Sequence, residues 1–233
     1  HGFNRLGGNS VAETVVAGML VGEFIADFCE QPGNAVSVST ALIGDAMADT
    51  SERIETIAGR QGGENAFAVI ADMQNVMTDK VGIFRNGSDL EEAVHSLRAI
   101  YLRSLNIGLT SQARGANPEL SAAYRAQMMC KLALCVAAGA LRRTESRGAH
   151  HRSDYPRRND RDWLCRTLAR WPGHDATGPE FRDEPLDITR MELPPGWRGY
   201  GERDFIEHPH AAARAADVER VTAELAREDR YAV

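Results

Sequence analysis

The sequence predicts a mostly α protein, and three observations carry that prediction. Apolar residues recur at three- and four-residue steps through most of the first 143 positions, the period of a helix with one buried face. Helix-ending and helix-starting residues punctuate those stretches at Gln31-Pro32-Gly33-Asn34, Gly62-Gly63, Asn86-Gly87 and Asn117-Pro118. After Thr144 the pattern changes to short β-like runs separated by Pro and Gly. The expected order is an N-terminal pair of helices over 1–60, an antiparallel helical bundle over 61–144, and a small mixed α+β segment over 145–233.

The first element is a helix over 11–28. Ser10-Val11-Ala12-Glu13 has the form of a capping box, in which Ser and Glu satisfy orphan backbone donors. Val15, Val16, Met19, Leu20, Phe24, Ile25 and Phe28 make the helix apolar nearly all round, so it is expected to be a buried core helix. Gly18 and Gly22 share a face and would let another backbone approach closely. Glu13, Glu23 and Asp27 interrupt the run, so it is not a membrane span.

A more polar helix is expected over 37–60, with Leu42, Met47, Ile54 and Ile57 as its apolar face. Gly62-Gly63 breaks it. Residues 64–80 follow as a helix with Phe67, Ile70, Met73 and Met77 at helical steps. Ser88-Asp89-Leu90-Glu91 reads as the capping box of the next, which runs through Ala93, Val94, Leu97, Ile100, Tyr101 and Leu105. Asn117-Pro118-Glu119 opens the last, because proline is preorganised for a first helical turn. Its large apolar residues are Leu120, Tyr124, Met128, Leu132, Cys135 and Leu141, and it closes on Arg142-Arg143. Three long helices with short connections argue an antiparallel bundle. Strands are expected over 163–171 and 186–193, and an exposed helix over 211–227.

Composition narrows the function. The 233 residues are 43% hydrophobic and 26% charged, enough to bury a substantial core. A formal net charge of −6 gives no reason to expect nucleic-acid binding. Cys29, Cys130, Cys135 and Cys165 contain no Cys-x-x-Cys pair. On a helix Cys130 and Cys135 point about 140° apart, so buried thiols are favoured over a metal or redox pair.

Two strings stand out chemically. The first is His1-Gly2-Phe3-Asn4-Arg5-Leu6-Gly7-Gly8-Asn9-Ser10. Glycines before a helix let backbone N–H groups reach a ligand, and a helix N-terminus carries about half a positive charge. Arg5 inside such a turn makes an anion site; the competing reading is a glycine-rich connection into a capped helix. The second is Glu145-Ser146-Arg147-Gly148-Ala149-His150-His151-Arg152-Ser153-Asp154-Tyr155-Pro156. His150 and His151 could ligate a metal, but one nearby carboxylate and irregular spacing favour a structural role. The interleaved acids favour a buried or half-buried salt-bridge network for the arginines, with an interaction surface second. Further on, His208 and His210 near Glu202 and Glu207 fit a solvated turn better than a metal site.

Both strings resemble the fumarate reductase/succinate dehydrogenase flavoprotein family. His1-Gly-x-Asn-Arg-Leu-Gly-Gly-Asn-Ser is similar to the late motif of its FAD domain, with Phe3 where the family usually has alanine. Glu-Ser-Arg-Gly-Ala-His followed by Asp-Tyr-Pro and Asp162-Trp163-Leu164 is similar to the segment after its helical bundle. The tail around Pro194-Pro195-Gly196-Trp197 looks like the extended C-terminal part of some quinol-linked fumarate reductases. The resemblance implies that Arg5 binds the dicarboxylate substrate and that Ser10 and Val11 contact FAD through the backbone. It assigns no catalytic residue and no metal ligand. It also implies that 1–60 is the end of an FAD-binding domain with a linker helix, in a C-terminal fragment of a subunit interconverting fumarate and succinate. The implied partners are an iron–sulfur subunit and a membrane quinone-binding subunit, with the protein cytoplasmic, peripheral to the inner membrane and not inserted in it. Alternatives are an L-aspartate oxidase-type flavoenzyme and a non-catalytic helical domain that docks subunits. The fragment alone is expected to be inactive.

Overall fold

The computed structural model describes residues 9–34, 38–60 and 62–186 except 112, 114 and 174, with isolated positions at 220 and 223. The described helices are α1 (Asn9–Glu30), α2 (Thr40–Gly59), α3 (Ala66–Lys80), α4 (Gly87–Ser104), α5 (Pro118–Arg142) and the short α6 (Asp160–Trp163). The strands are β1 (Phe84–Arg85), β2 (His151–Arg152), β3 (Cys165–Arg170) and β4 (Glu180–Pro185). The chain is mostly helical, as its sequence predicts.

Capping chemistry sets the bundle's boundaries. Asn65 accepts from the backbone N–H groups of Phe67 and Ala68 at the start of α3. Asn117 does the same for Glu119 and Leu120 at the start of α5, with Pro118 preorganised behind it. At α4 the cap is Asn86, which accepts from Asp89 N, rather than the Ser88–Glu91 box expected. Asn wins because it precedes the first helical residue and its amide returns a hydrogen bond to the Asp89 carboxylate. Likewise α1 begins at Asn9, so Ser10 lies within the helix rather than capping it.

α3, α4 and α5 pack against one another, and α2 leans on α5 through the buried Ile57. The α5 stripe inside this core is Ala123, Ala126, Cys130, Ala133, Ala137 and Ala140. Its three-and-four spacing keeps one seam turned inward, and its small side chains let neighbouring helices come close. This corrects the face read from the large residues: Leu132 is 65% exposed, and Leu120, Tyr124 and Leu141 are only half-buried. The same holds in α3, where Ala66, Val69 and Met73 are buried and Phe67 is exposed. In α4 the expected residues Ala93, Leu97, Ile100 and Tyr101 are buried, joined by Leu90 and Ser104.

The linkers entering α3 and leaving α4 cross at close range. Glu64 N donates to Asn106 O, and Gly108 N donates to Glu64 O. A Cβ on Gly108 would overlap the Gly62 carbonyl, and Gly63 has φ +106°. This crossing explains why the linkers carry glycine. Arg103 fastens it with paired bonds to Glu64 at 3.0 and 2.9 Å and a third to Asp72.

Several expectations are corrected outside the bundle. α1 is not a buried core helix here: Val11, Val15, Met19, Leu20, Phe24 and Phe28 are all exposed. Nothing lies within 4 Å of a side chain built at Gly18 or Gly22. On α2, Leu42 and Met47 are exposed as well. Cys29 is exposed, whereas Cys130 is buried and its thiol is pushed up to about 11 by desolvation. The first β-like run is β3, but its partner is the 180–185 stretch, which pairs antiparallel from Cys165↔Pro185 to Arg170↔Glu180. The strand expected over 186–193 and the helix over 211–227 lie outside the described residues, apart from isolated positions.

Candidate functional site

The charged string after the bundle forms a strap across the end of α5. Glu145 is fully buried and accepts from Arg143 Nη1 at 2.6 Å, Arg147 Nε at 2.8 Å and Asn159 N at 2.8 Å. Arg147 also donates to Asp160 Oδ1 at 2.6 Å, and Arg158 Nε donates to Asp160 Oδ2 at 3.0 Å. Arg143 continues to the carbonyls of Trp163 and Cys165, drawing the strap toward β3, with its guanidinium 5.0 Å from the Trp163 ring. Burying so many charges is tolerated because each carboxylate receives several donors.

Arg152 and Asp154 add a second clamp. Arg152 is buried, and its Nη1 donates to the Ala140, Leu141 and Arg143 carbonyls at the C-terminus of α5. Its Nε and Nη2 grip Asp154 at 2.8 and 2.7 Å. Asp154 also accepts from Gly87 N, the first residue of α4. One ion pair thus places a cation on the negative end of α5 and an anion on the positive end of α4. The Arg152 guanidinium holds the Asp154 carboxyl down at about 2.

His150 closes the strap. Its Nδ1 accepts from Arg85 Nη1 at 2.9 Å, which leaves Nε2–H to donate to Arg143 O at 3.2 Å. Burial, together with the charges of Arg85, Arg152 and Arg143, holds it below the usual imidazole range. Neighbouring His151 stacks edge-on against Phe84, 5.4 Å between centroids. The favoured salt-bridge reading of this string is therefore what the structure displays. Among the described residues no group of three or more His, Cys, Asp or Glu is placed to hold a metal. The strap's main groups are occupied in holding the fold together, and their chemistry is that of a scaffold.

The sequence-selected ligand residues sit apart from it. Arg5 lies outside the described residues. Ser10 and Val11 occupy the first turn of α1, where unpaired backbone N–H groups face outward. Ser10 O accepts from Thr14 Oγ1 at 2.7 Å, while Ser10 Oγ is buried with no hydrogen-bond partner among the described residues. Such an orphan at a helix N-terminus suits a ligand acceptor, so the residues present fit a flavin edge. Sequence reasoning missed the cleft between α2, α4 and α5 that contains Lys131. The available signal was a lone lysine inside the apolar run from Met128 to Leu134.

Comparison with known proteins places this architecture. The family model described as "Fumarate reductase flavoprotein C-term" matches residues 70–200. The fumarate reductase flavoprotein subunit of Helicobacter pylori is 44% identical over 97% of this chain, covering 31% of the relative. Among solved structures, a mutant of Escherichia coli quinol fumarate reductase superposes with a TM-score of 0.71 at 27% identity, covering 88% of this chain and 33% of that one. A quinol-fumarate reductase with menaquinol molecules follows at 0.70 and 29%, covering 81% and 32%. The fold and strap define the helical C-terminal region of a flavoprotein subunit. The chain belongs to the fumarate reductase/succinate dehydrogenase flavoprotein family and spans about a third of the length of the relatives it matches. Among the described residues no helix is long and apolar enough to cross a membrane.

Proposed function

We propose that this chain is part of an FAD-dependent flavoprotein subunit that interconverts fumarate and succinate, exchanging electrons with quinone through an iron–sulfur subunit and a membrane subunit. The observation that carries this reading is similarity to fumarate reductase flavoprotein subunits along nearly its whole length. The orphaned Ser10 hydroxyl at the start of α1 supports it. The chain divides into the end of an FAD-binding domain with a linker helix (1–60), a three-helix bundle (61–144) and a C-terminal segment (145–233). The subunit is peripheral to the inner membrane.

FAD, when bound, supplies two-electron hydride chemistry. Arg5 binds one carboxylate of the dicarboxylate through its planar guanidinium fork and draws charge toward that end of the double bond. Ser10 and Val11 present backbone N–H groups, and the helix behind them adds positive potential at the flavin.

Arg5→Ala in the full-length protein tests the substrate role. Loss of at least about 2 kcal/mol in kcat/KM fits a charge-assisted carboxylate contact. Unchanged dicarboxylate turnover would favour the second reading, a helical docking domain, which the exposed apolar face of α1 supports. The 233-residue chain by itself is expected neither to hold FAD nor to turn over; a stoichiometric yellow complex would overturn that expectation.

A further inference from the structure

The cleft between α2, α4 and α5 has no part in the strap or in the α1 terminus. It encloses about 420 Å³ and is lined by Lys131, Tyr101, Arg53 and Arg60, with Asp49 and Glu52 on its α2 side. Lys131 is half-buried against two aromatic rings, 5.2 Å from the Trp171 centroid and 5.9 Å from that of Tyr101. It has no acidic partner among the described residues. Only 1% of Tyr101 is exposed, and it lines the cleft beside Lys131. Arg53 pairs loosely with Asp49 at 3.6 Å, touches the Met128 sulfur at 3.9 Å and lies 5.7 Å from the Tyr124 ring centroid. Arg60 directs Nη1 to the Leu105 and Ile107 carbonyls, which fixes its guanidinium beside the cleft.

A half-buried ammonium without a counter-ion costs free energy unless something completes it. That cost falls if an acceptor carrying negative charge occupies the cleft, and the Tyr101 hydroxyl on its wall can donate to the same acceptor. We propose that this cleft binds a small oxyanion, the phosphate or carboxylate group of a small molecule, between Lys131, Tyr101 Oη and Arg53. The volume exceeds that of a single oxyanion, leaving room for an organic body against Ile57 and Leu105. Burial and the charge of Arg53 both push the Lys131 ammonium below its ordinary value, and an anion placed there would reverse that direction. Asp49, loosely paired with Arg53, and exposed Glu52 are the acids on the cleft's α2 side among the described residues, and Glu52 has no ion pair there to hold it away from the site.

The test is calorimetric titration of the intact protein with inorganic phosphate at low ionic strength. Saturable binding is expected in the wild type. Lys131→Met retains the aliphatic packing over both rings and should weaken binding about tenfold or more. Tyr101→Phe retains the ring and should weaken it by about threefold or more. Arg166→Gln, which removes the same charge from the exposed hairpin, should leave it unchanged. Glu52→Gln should tighten it by relieving competition. Displacement of phosphate by acetate would assign a carboxylate ligand, and its failure a phosphate one. Equal affinity in the wild type and Lys131→Met would overturn the proposal. So would an equal loss in Arg166→Gln, or binding that appears only in Glu52→Gln.

Discussion

The strap over 143–163 is dense in charge and buries much of it, whereas α1 is dense in apolar residues and leaves them exposed. Hydrophobicity alone would predict the reverse. The strap succeeds because its groups find partners within the chain: Glu145 with three donors, Asp160 with two arginines, Arg152 with three carbonyls and Asp154. α1 has no such closure among the described residues. Its first turn and its apolar sides are suited to surfaces supplied by something else. Self-sufficiency in this protein follows complementarity of partners rather than polarity.

Glu145→Ala is the most severe way to break the strap. It strands Arg143 and Arg147 in a water-poor site and is expected to cost about 3–5 kcal/mol, read from the chemical denaturation midpoint. A smaller loss would mean that Asp160 takes over both arginines. Overpacking the α5 seam comes next: Ala126→Leu should cost about 1–3 kcal/mol, because α3 and α4 must move apart. An unchanged midpoint there would count against the tight alanine stripe.

Acid should loosen the strap before the bundle. His150 is held below its ordinary value, so its contribution is complete above about pH 6.5 and falls as pH drops toward its folded value. Asp154 is depressed too, so its share is complete above about pH 3.8 and is lost as pH falls toward 2. Stability measured against pH should show both limbs; His150→Gln should remove the first and Asp154→Asn the second. Persistence of the first limb in His150→Gln would assign it elsewhere.

The smallest effect is expected on α1. Leu20→Glu in the 233-residue chain should change stability by less than about 0.5 kcal/mol, because the side chain is already exposed. The same substitution in the full-length protein should reduce flavin retention, if α1 is covered there. Equal insensitivity in both would remove the idea that α1 packs against the rest of a flavoprotein.

The helices were readable because their ends are local chemistry: Asn117-Pro118 starts α5, α2 stops at Gly59 just before Gly62-Gly63, and Arg142-Arg143 closes α5. The faces were harder. Leu120, Tyr124, Met128 and Leu132 form a regular series by size, yet the alanine seam is what the neighbouring helices contact. β4 escaped notice because Glu180-Phe181-Arg182-Asp183-Glu184-Pro185 carries almost no apolar signal. Its pairing with β3 includes ion pairs such as Arg166–Glu184 and Arg170–Glu180, visible only once the strands meet.

For the strap, the sequence determined that acids and bases alternate closely enough to neutralise one another. It could not say that Arg152 would reach the end of α5 while its partner Asp154 reached the start of α4. That choice depends on two helix ends lying side by side, a consequence of the bundle's packing. Tertiary structure likewise left Lys131 against two aromatic rings without an acidic partner among the described residues, because separate helices set the space around it. Caps and periodicity act within a few residues, so sequence determines them; close approach between distant segments is decided by packing, where small side chains and paired charges permit it.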